Sequence, residues 1–235
     1  MSVIPPTALE FFAGIPEPDK SRITRLISER RYAQGARIFS EGDPADGMFI
    51  VTEGLVRLVS VSNTGAETIL HMLKPGEIFG ELFFAEERRA FDAVAGTDVA
   101  VTVIARKDFE EILASLPAVA RNFIRLLSRR LVKVEQGFAG FGHTSSYQRL
   151  GKMLLQLGAE HGVPTPGGRL IQLRLTHEDL AKLIGTTRET VSKQMNRFRR
   201  MGLLKRHGRH LLVDSERLTR FLAPADEGPE DTPSR

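Results

Sequence analysis

Two groups of side chains in this sequence have the types and spacing to do chemistry. The first lies in FGELFFAEERRAFDAVAG, residues 79–96, where Gly80, Glu81 and Leu82 precede the adjacent pair Arg88 and Arg89. Glycine lets a backbone approach a ligand closely, and a guanidinium grips a phosphate or carboxylate with parallel N–H donors. The stretch is therefore either an anion site or an ordinary turn with a solvated charge cluster. The second group lies in LTHEDLAKLIGTTRETVSKQMNRFRRM, residues 175–201. Thr187, Arg188, Glu189, Ser192, Lys193 and Asn196 recur there at helical spacing, with Arg197 and Arg200 nearer the end. Arg and Lys donate to guanine O6 and N7, and a carboxylate accepts from cytosine N4. A carboxylate facing a polyanion is otherwise costly, so Glu189 points to reading of bases rather than mere neutralisation of phosphates. The competing reading is a solvated charged helix face.

The elements around the second group favour base reading. Thr176 with Asp179 three residues on has the pattern of a capping box, and Leu180, Leu183 and Ile184 give the first helix an apolar face. Gly185 supplies a turn. Thr186 with Glu189 repeats the capping pattern and opens a second helix, whose buried side is Val191, Met195 and Phe198. Two short helices joined by a glycine turn make a helix-turn-helix. LLKRHGRHLLVDS, residues 203–215, then reads as a β-hairpin wing, placing Lys205, Arg206 and Arg209 where they could hold phosphates and set register.

Charge agrees. The net charge of the 235 residues is only +4, but residues 144–222 hold 15 Lys and Arg against 6 Asp and Glu, and residues 1–143 hold 17 against 19. A basic final third on a near-neutral body is the footprint of a nucleic-acid-binding domain. Cysteine is absent, which excludes disulfides, thiol catalysis and cysteine-ligated zinc or iron–sulfur clusters. The N-terminal stretch lacks the pattern of a signal peptide, and no apolar run has the length of a membrane span, so a cytoplasmic protein without a membrane partner is expected.

Residues 8–31 read as short amphipathic helices carrying Leu9, Phe12, Ile15, Ile23, Leu26 and Ile27. From Tyr32 to about Ile104, short apolar runs alternate with glycines, the texture of a compact all-β sandwich or barrel. Gly42-Asp43 and Asn63-Thr64-Gly65 read as turns. Residues 107–115 form a short helix. The segment from Pro117 predicts a helix of about 22 residues, roughly 33 Å long. Its stripe of Val119, Phe123, Leu127, Leu131, Val134 and Phe138 predicts a seam with a partner helix, with Phe123, Leu127, Leu131 and Val134 at the dimer interface. Residues 144–161 give another amphipathic helix, VPTPGG at 163–168 a loop, and the tail beyond Ala223 too few apolar residues to fold. Glycines 137, 140 and 142 make a joint. The resulting division is an α+β chain with a β-rich sensor domain at 1–116, a dimerisation helix and hinge at 117–143, a winged helix-turn-helix at 144–222, and an acidic tail at 223–235.

The segment GTTRETVSKQMNRFRRMGLLKRHGRHLLV resembles the recognition helix and wing of the CRP/FNR superfamily of bacterial transcription regulators. ARIFSEGDPADGMFIVTEGLVRLVSV and ETILHMLKPGEIFGEL resemble the family's cyclic-nucleotide-binding β-roll, and the likeness runs over about residues 8–218. The resemblance implies a β-roll, a long dimerisation helix and a winged helix-turn-helix. It implies a homodimer on double-stranded DNA, with RNA polymerase as a further partner and half-sites about 34 Å apart. Base contacts fall to Arg188, Glu189 and Lys193, on a half-site like TGTGA. Lysine stands at Lys193 where the family usually has arginine, and it lacks the bidentate fork.

In cyclic-AMP-binding members, a Gly-Glu pair and an arginine hold the ribose and cyclic phosphate. Gly80, Glu81 and Arg89 match. Ala90 stands where a Ser or Thr usually follows, and Val134 and Glu135 stand where a Thr-Ser pair holds adenine. Three readings stay open: a cyclic nucleotide or other phosphate-bearing effector at Arg89, some other effector, or none, in which case Arg89 and Glu81 would form a structural ion pair. Iron–sulfur relatives need cysteines, and no two of the six histidines stand at ligand spacing, so His71 reads as a satisfied strand histidine and no haem signature is expected. The competing function classes are a sequence-indifferent architectural DNA-binding protein and an enzyme with a DNA-binding appendage. Against an enzyme, the chain lacks a phosphate loop, a nucleophile elbow and a metal-spaced histidine cluster.

Overall fold

The computed structural model describes residues 12–139, 145–208 and 210–223, with backbone alone for residue 133 and residues 136–139. Leu9, the Phe138 side chain, Gly140, Gly142, Arg209 and the acidic tail, all part of the expectations above, lie outside the described residues. The chain divides into two compact units, residues 1–142 and 143–235.

In the first unit, helix α1 (Glu17–Leu26) leads into strands β1 (Ile27–Tyr32), β2 (Arg37–Phe39), β3 (Gly47–Glu53), β4 (Val56–Val61), β5 (Glu67–Leu73) and β6 (Ile78–Phe79). A one-turn 3₁₀ helix (Glu81–Phe84) follows, then β7 (Asp92–Ala95), β8 (Val99–Ala105), α2 (Arg106–Ser115) and the long α3 (Pro117–Ala139). The strands form two four-stranded sheets, ordered β1-β8-β3-β6 and β2-β7-β4-β5. Alternation explains the apolar run MFIV in β3. Met48 and Ile50 enter one core with Phe12, Ile23, Phe83, Ile104, Phe109 and Phe123, while Phe49 and Val51 enter a second with Val56, Leu73, Phe79 and Val101. A strand covered on both faces has no polar side to show in its sequence.

Two expectations need correction here. Residues 27–31 are not helical but belong, with Tyr32, to β1. They pair antiparallel with β8, from Ile27 opposite Ile104 to Tyr32 opposite Val99, as an edge strand with its middle exposed. Exposure on both faces removes the alternation that marks a strand, and the partner strand decides the conformation. Phe123 does not lie on a free seam. It is 6% exposed and packs edge-on to Phe109, with ring centroids 5.2 Å apart, and against Phe84 at 5.8 Å. The start of α3 therefore packs on its own β-domain, with Val119 fully buried and Leu127 half-buried against the same core. Further along, Ile124, Leu131 and Val134 are more than half exposed.

The second unit holds α4 (Ser146–His161), β9 (Gly162–Thr165), β10 (Gly168–Ile171), α5 (His177–Ile184), α6 (Arg188–Arg200), β11 (Leu204–His207), β12 (His210–Val213) and α7 (Ser215–Leu222). Its sheet runs β11-β12-β10-β9. VPTPGG is thus not a plain loop but most of a hairpin. Pro164 is tolerated because β9 is the outer strand, where a missing N–H interrupts no inner ladder. Among the described residues, no helix is long and apolar enough to cross a membrane.

Candidate functional site

The helix-turn-helix is set by its caps. Thr176 Oγ1 accepts from Asp179 N–H at 3.0 Å and Asp179 Oδ2 accepts from Thr176 N–H at 2.9 Å, closing a reciprocal box at the start of α5. Gly185 ends α5 in the left-handed region at φ 62°. Thr186 N–H then reaches back to Ala181 O at 3.1 Å, so Thr186 belongs to the exit of α5. The expected Thr186–Glu189 box is therefore displaced by one residue. Thr187 is the N-cap of α6, its Oγ1 accepting from Thr190 N–H at 3.2 Å, and its hydroxyl serves the helix. Glu189 takes no part in this cap.

At about 100° per residue, positions 188, 189, 192, 193 and 196 share an arc of about 140° on α6. Val191, Met195 and Phe198 are buried on its other side. Arg188, Glu189, Lys193 and Asn196 are exposed. Asn196 Oδ1 accepts from Arg199 Nη1 at 3.1 Å, which leaves its amide N–H groups as outward donors. Arg197 is anchored, its guanidinium 5.3 Å from the Tyr147 ring centroid and 5.8 Å from that of Phe221. Arg206 is exposed on the wing, with Nε donating to Gly208 O at 3.0 Å. Its strand pairs with β12 from Leu204 opposite Val213 to His207 opposite His210.

Ser192 differs from its neighbours. It is half-buried, with its hydroxyl 2.7 Å from Nδ1 of His177 on α5. No spacing rule signals this link, because the two residues lie on different helices. Burial lowers the His177 pKa below its ordinary 6.5, and the charges of Arg199, Arg188 and Arg206 lower it further. Above about pH 6.5 the imidazole is neutral folded or unfolded. As pH falls below that, the unfolded chain takes up the proton first, so the folded unit loses stability. His177→Gln retains a hydrogen-bonding group but no titration. The fall in thermal midpoint between pH 7.5 and 5.5 should accordingly be smaller in the variant than in the wild type.

The candidate anion site in the first unit is also built from backbone outward. Gly80 has φ 81°, and a Cβ there would lie 2.8 Å from Arg89 Nη1 and 3.1 Å from Gly47 O. Both constraints demand glycine. Arg89 is 5% exposed. Its Nη1 donates to Gly80 O at 2.8 Å, its Nη2 to Asp46 Oδ1 at 3.0 Å, and its guanidinium lies 4.4 Å from the Phe39 ring centroid. Nε is buried without a hydrogen-bond partner. Burial lowers the guanidinium pKa, opposed mainly by Asp46, then by Asp43 and Glu81. Arginine nonetheless stays charged.

The alternative pairing of Arg89 with Glu81 is not what forms. Glu81 binds Arg130 of α3, which also donates to Ile78 O. Arg130 is the functional candidate that sequence reasoning missed, since it reads as one more charge on a basic helix. Leu82 is 40% exposed beside it in the 3₁₀ helix, Ala90 is half-buried, and Arg88 donates to Gly42 O at 2.7 Å rather than entering the site. Among the described residues, no group of three or more His, Asp and Glu is arranged to hold a metal.

Residues 29–115 match the cyclic nucleotide-binding domain, and residues 148–221 match the Crp-like helix-turn-helix domain. The chain is 30% identical over 211 residues to a CRP-like cAMP-activated global transcriptional regulator of Mycobacterium tuberculosis, covering 89% of this chain and 94% of that one. It is 33% identical over 195 residues to the cyclic AMP receptor protein of Thermus thermophilus, covering 83% and 87%. The structure of FixK2 from Bradyrhizobium japonicum superposes with a TM-score of 0.75 over 85% of this chain and 98% of that one, at 24% identity, a likeness of fold. With a β-roll that matches the cyclic nucleotide-binding domain, a long helix and a winged helix-turn-helix, the chain belongs to the CRP/FNR family of DNA-binding transcription regulators and is not an enzyme.

Proposed function

We propose that the protein is an effector-controlled homodimer that reads a palindromic operator in the cytoplasm. Arg188, Glu189 and Lys193 are its base-reading residues, Asn196 and Arg206 support them, and a small anionic effector binds at Arg89. The relatives' names support an effector: one is cAMP-activated and another is a cyclic AMP receptor. The observation that carries the reading is the buried guanidinium of Arg89, held against Gly80 O with its Nε–H left without a hydrogen-bond partner. A cation taken out of water needs an anion; Asp46 supplies one through Nη2 alone, and a phosphate would meet both that need and the idle Nε.

Glu81 and Arg130 sit beside this position as a paired acceptor and donor for a hydroxyl-bearing ligand. The pair also ties the pocket to α3, which carries the proposed seam, so an effector that enters between them acts on the dimerisation helix. Val134 and Glu135 offer no hydroxyl of the kind that holds adenine, so the effector's base differs from adenine or is held otherwise. Titration of the full chain with cAMP, cGMP and cyclic di-GMP tests this reading. One of them should bind with micromolar affinity and lose binding in Arg89→Ala. Silence across the panel would overturn a nucleotide effector.

A further inference from the structure

Arg89 has an anionic partner already, and the character of that partner is informative. Three carboxylates act on the guanidinium: Asp46, Asp43 and Glu81. Asp43 is engaged by Ser40 N–H at 2.7 Å and Glu81 by Arg130. Asp46 alone of the three bonds the guanidinium, through Oδ1 to Nη2 at 3.0 Å. The two ends of that pair differ in solvation. The Arg89 side chain is 3% exposed and the Asp46 side chain 83%. The Asp46 backbone is fixed, because its carbonyl accepts from Arg106 N–H at 2.8 Å and Gly47 follows at once in β3, opposite Ala105. Only the carboxylate is free to turn away.

We infer that Asp46 is an internal stand-in for the effector's anionic group, and that ligand entry proceeds by exchange of carboxylate for phosphate on Arg89. The inference rests on the effector reading above and adds its regulation. Arg89 pays a large desolvation cost and needs a counter-charge at all times. Asp46 keeps most of its hydration while bonded, so releasing it into water costs little. A phosphate has more oxygens to offer. One replaces Asp46 Oδ1 on Nη2, and a second meets Nε–H, giving the side-on two-point grip that a single Asp46 oxygen does not supply. The empty protein therefore stays folded with its buried cation neutralised, and Asp46 raises the effector concentration needed to occupy the site. Glu81 is unsuited to this role, being mostly buried and committed to Arg130.

The test compares the full-length wild type, Asp46→Asn and Arg89→Ala by calorimetric titration with cAMP, cGMP and cyclic di-GMP, with circular dichroism confirming that each variant folds. Removing an exposed competing carboxylate should tighten the best ligand of the panel by on the order of 3- to 10-fold in Asp46→Asn. Binding should vanish in Arg89→Ala. Asp46→Ser makes the same comparison should the asparagine variant not fold. Unchanged or weaker binding in the Asp46 variants, with wild-type binding intact, would overturn the exchange while leaving the effector reading in place. No binding to either the wild type or the Asp46 variants would overturn the nucleotide-effector reading and the exchange with it.

Discussion

Leu131→Asp should turn the protein into a monomer and weaken operator binding by about 100-fold or more. Two recognition helices on one duplex act bivalently, and linking two sites raises binding over either alone by about 10²–10⁴. Besides Val132, the exposed apolar side chains of α3 include Ile124, Leu131 and Val134, which form one stripe with half-buried Leu127. Their spacing of three, four and three residues is that of a two-helix seam. Leu131 is 58% exposed and lies at the centre of this stripe, so a carboxylate there faces solvent in the single chain and a desolvated apolar contact in a dimer. Folding of the chain itself should be little affected. Phe123→Ala supplies the contrast. Phe123 is buried against Phe109 and the half-exposed Phe84, so its truncation should cost about 3–5 kcal/mol of stability. Analytical ultracentrifugation and thermal melts separate the two effects. A dimeric Leu131→Asp protein would place the seam elsewhere.

Glu189→Ala should cost specificity rather than raw affinity. The carboxylate is exposed in the first turn of α6 and is not used in its cap. If it accepts from a cytosine N4 amino group, its loss should relax discrimination at that base pair by about 1–3 kcal/mol, roughly 5- to 150-fold. Binding to unrelated duplexes should hold or strengthen, because a negative charge has left a surface that faces phosphates. Competition binding at one fixed salt concentration measures both. Equal loss on specific and unrelated DNA would remove Glu189 from the base-reading set.

Much of this was legible in the sequence because it is local. The two caps, Gly185 and the apolar positions Val191, Met195 and Phe198 lie within a few residues of one another, and helix periodicity shows them directly. What escaped depends on contacts between distant segments. The edge strand at residues 27–32 takes its conformation from β8. Phe123 follows the same helical period as Leu131, and only the position of α2 and the 3₁₀ helix decides that one faces inward and the other outward. The start of α6 slipped by one residue because Thr186 closes the preceding helix. Arg130, His177 and Asp46 gain their roles from partners 49, 15 and 43 residues away, through the pairs Arg130–Glu81, His177–Ser192 and Arg89–Asp46. No spacing rule connects such residues. The proposed anion site is visible in the sequence as Gly80, Glu81 and Arg89, but the carboxylate that Arg89 holds is not.

The central claim is that this chain reads DNA sequence as a symmetric dimer. Selection of bound duplexes from a random-sequence pool by the full-length protein, with the enriched molecules sequenced, tests it most directly. The expected result is an inverted repeat whose half-sites are centred about one helical turn, about 34 Å, apart. A pool that stays random while binding still falls steeply with salt would contradict the account.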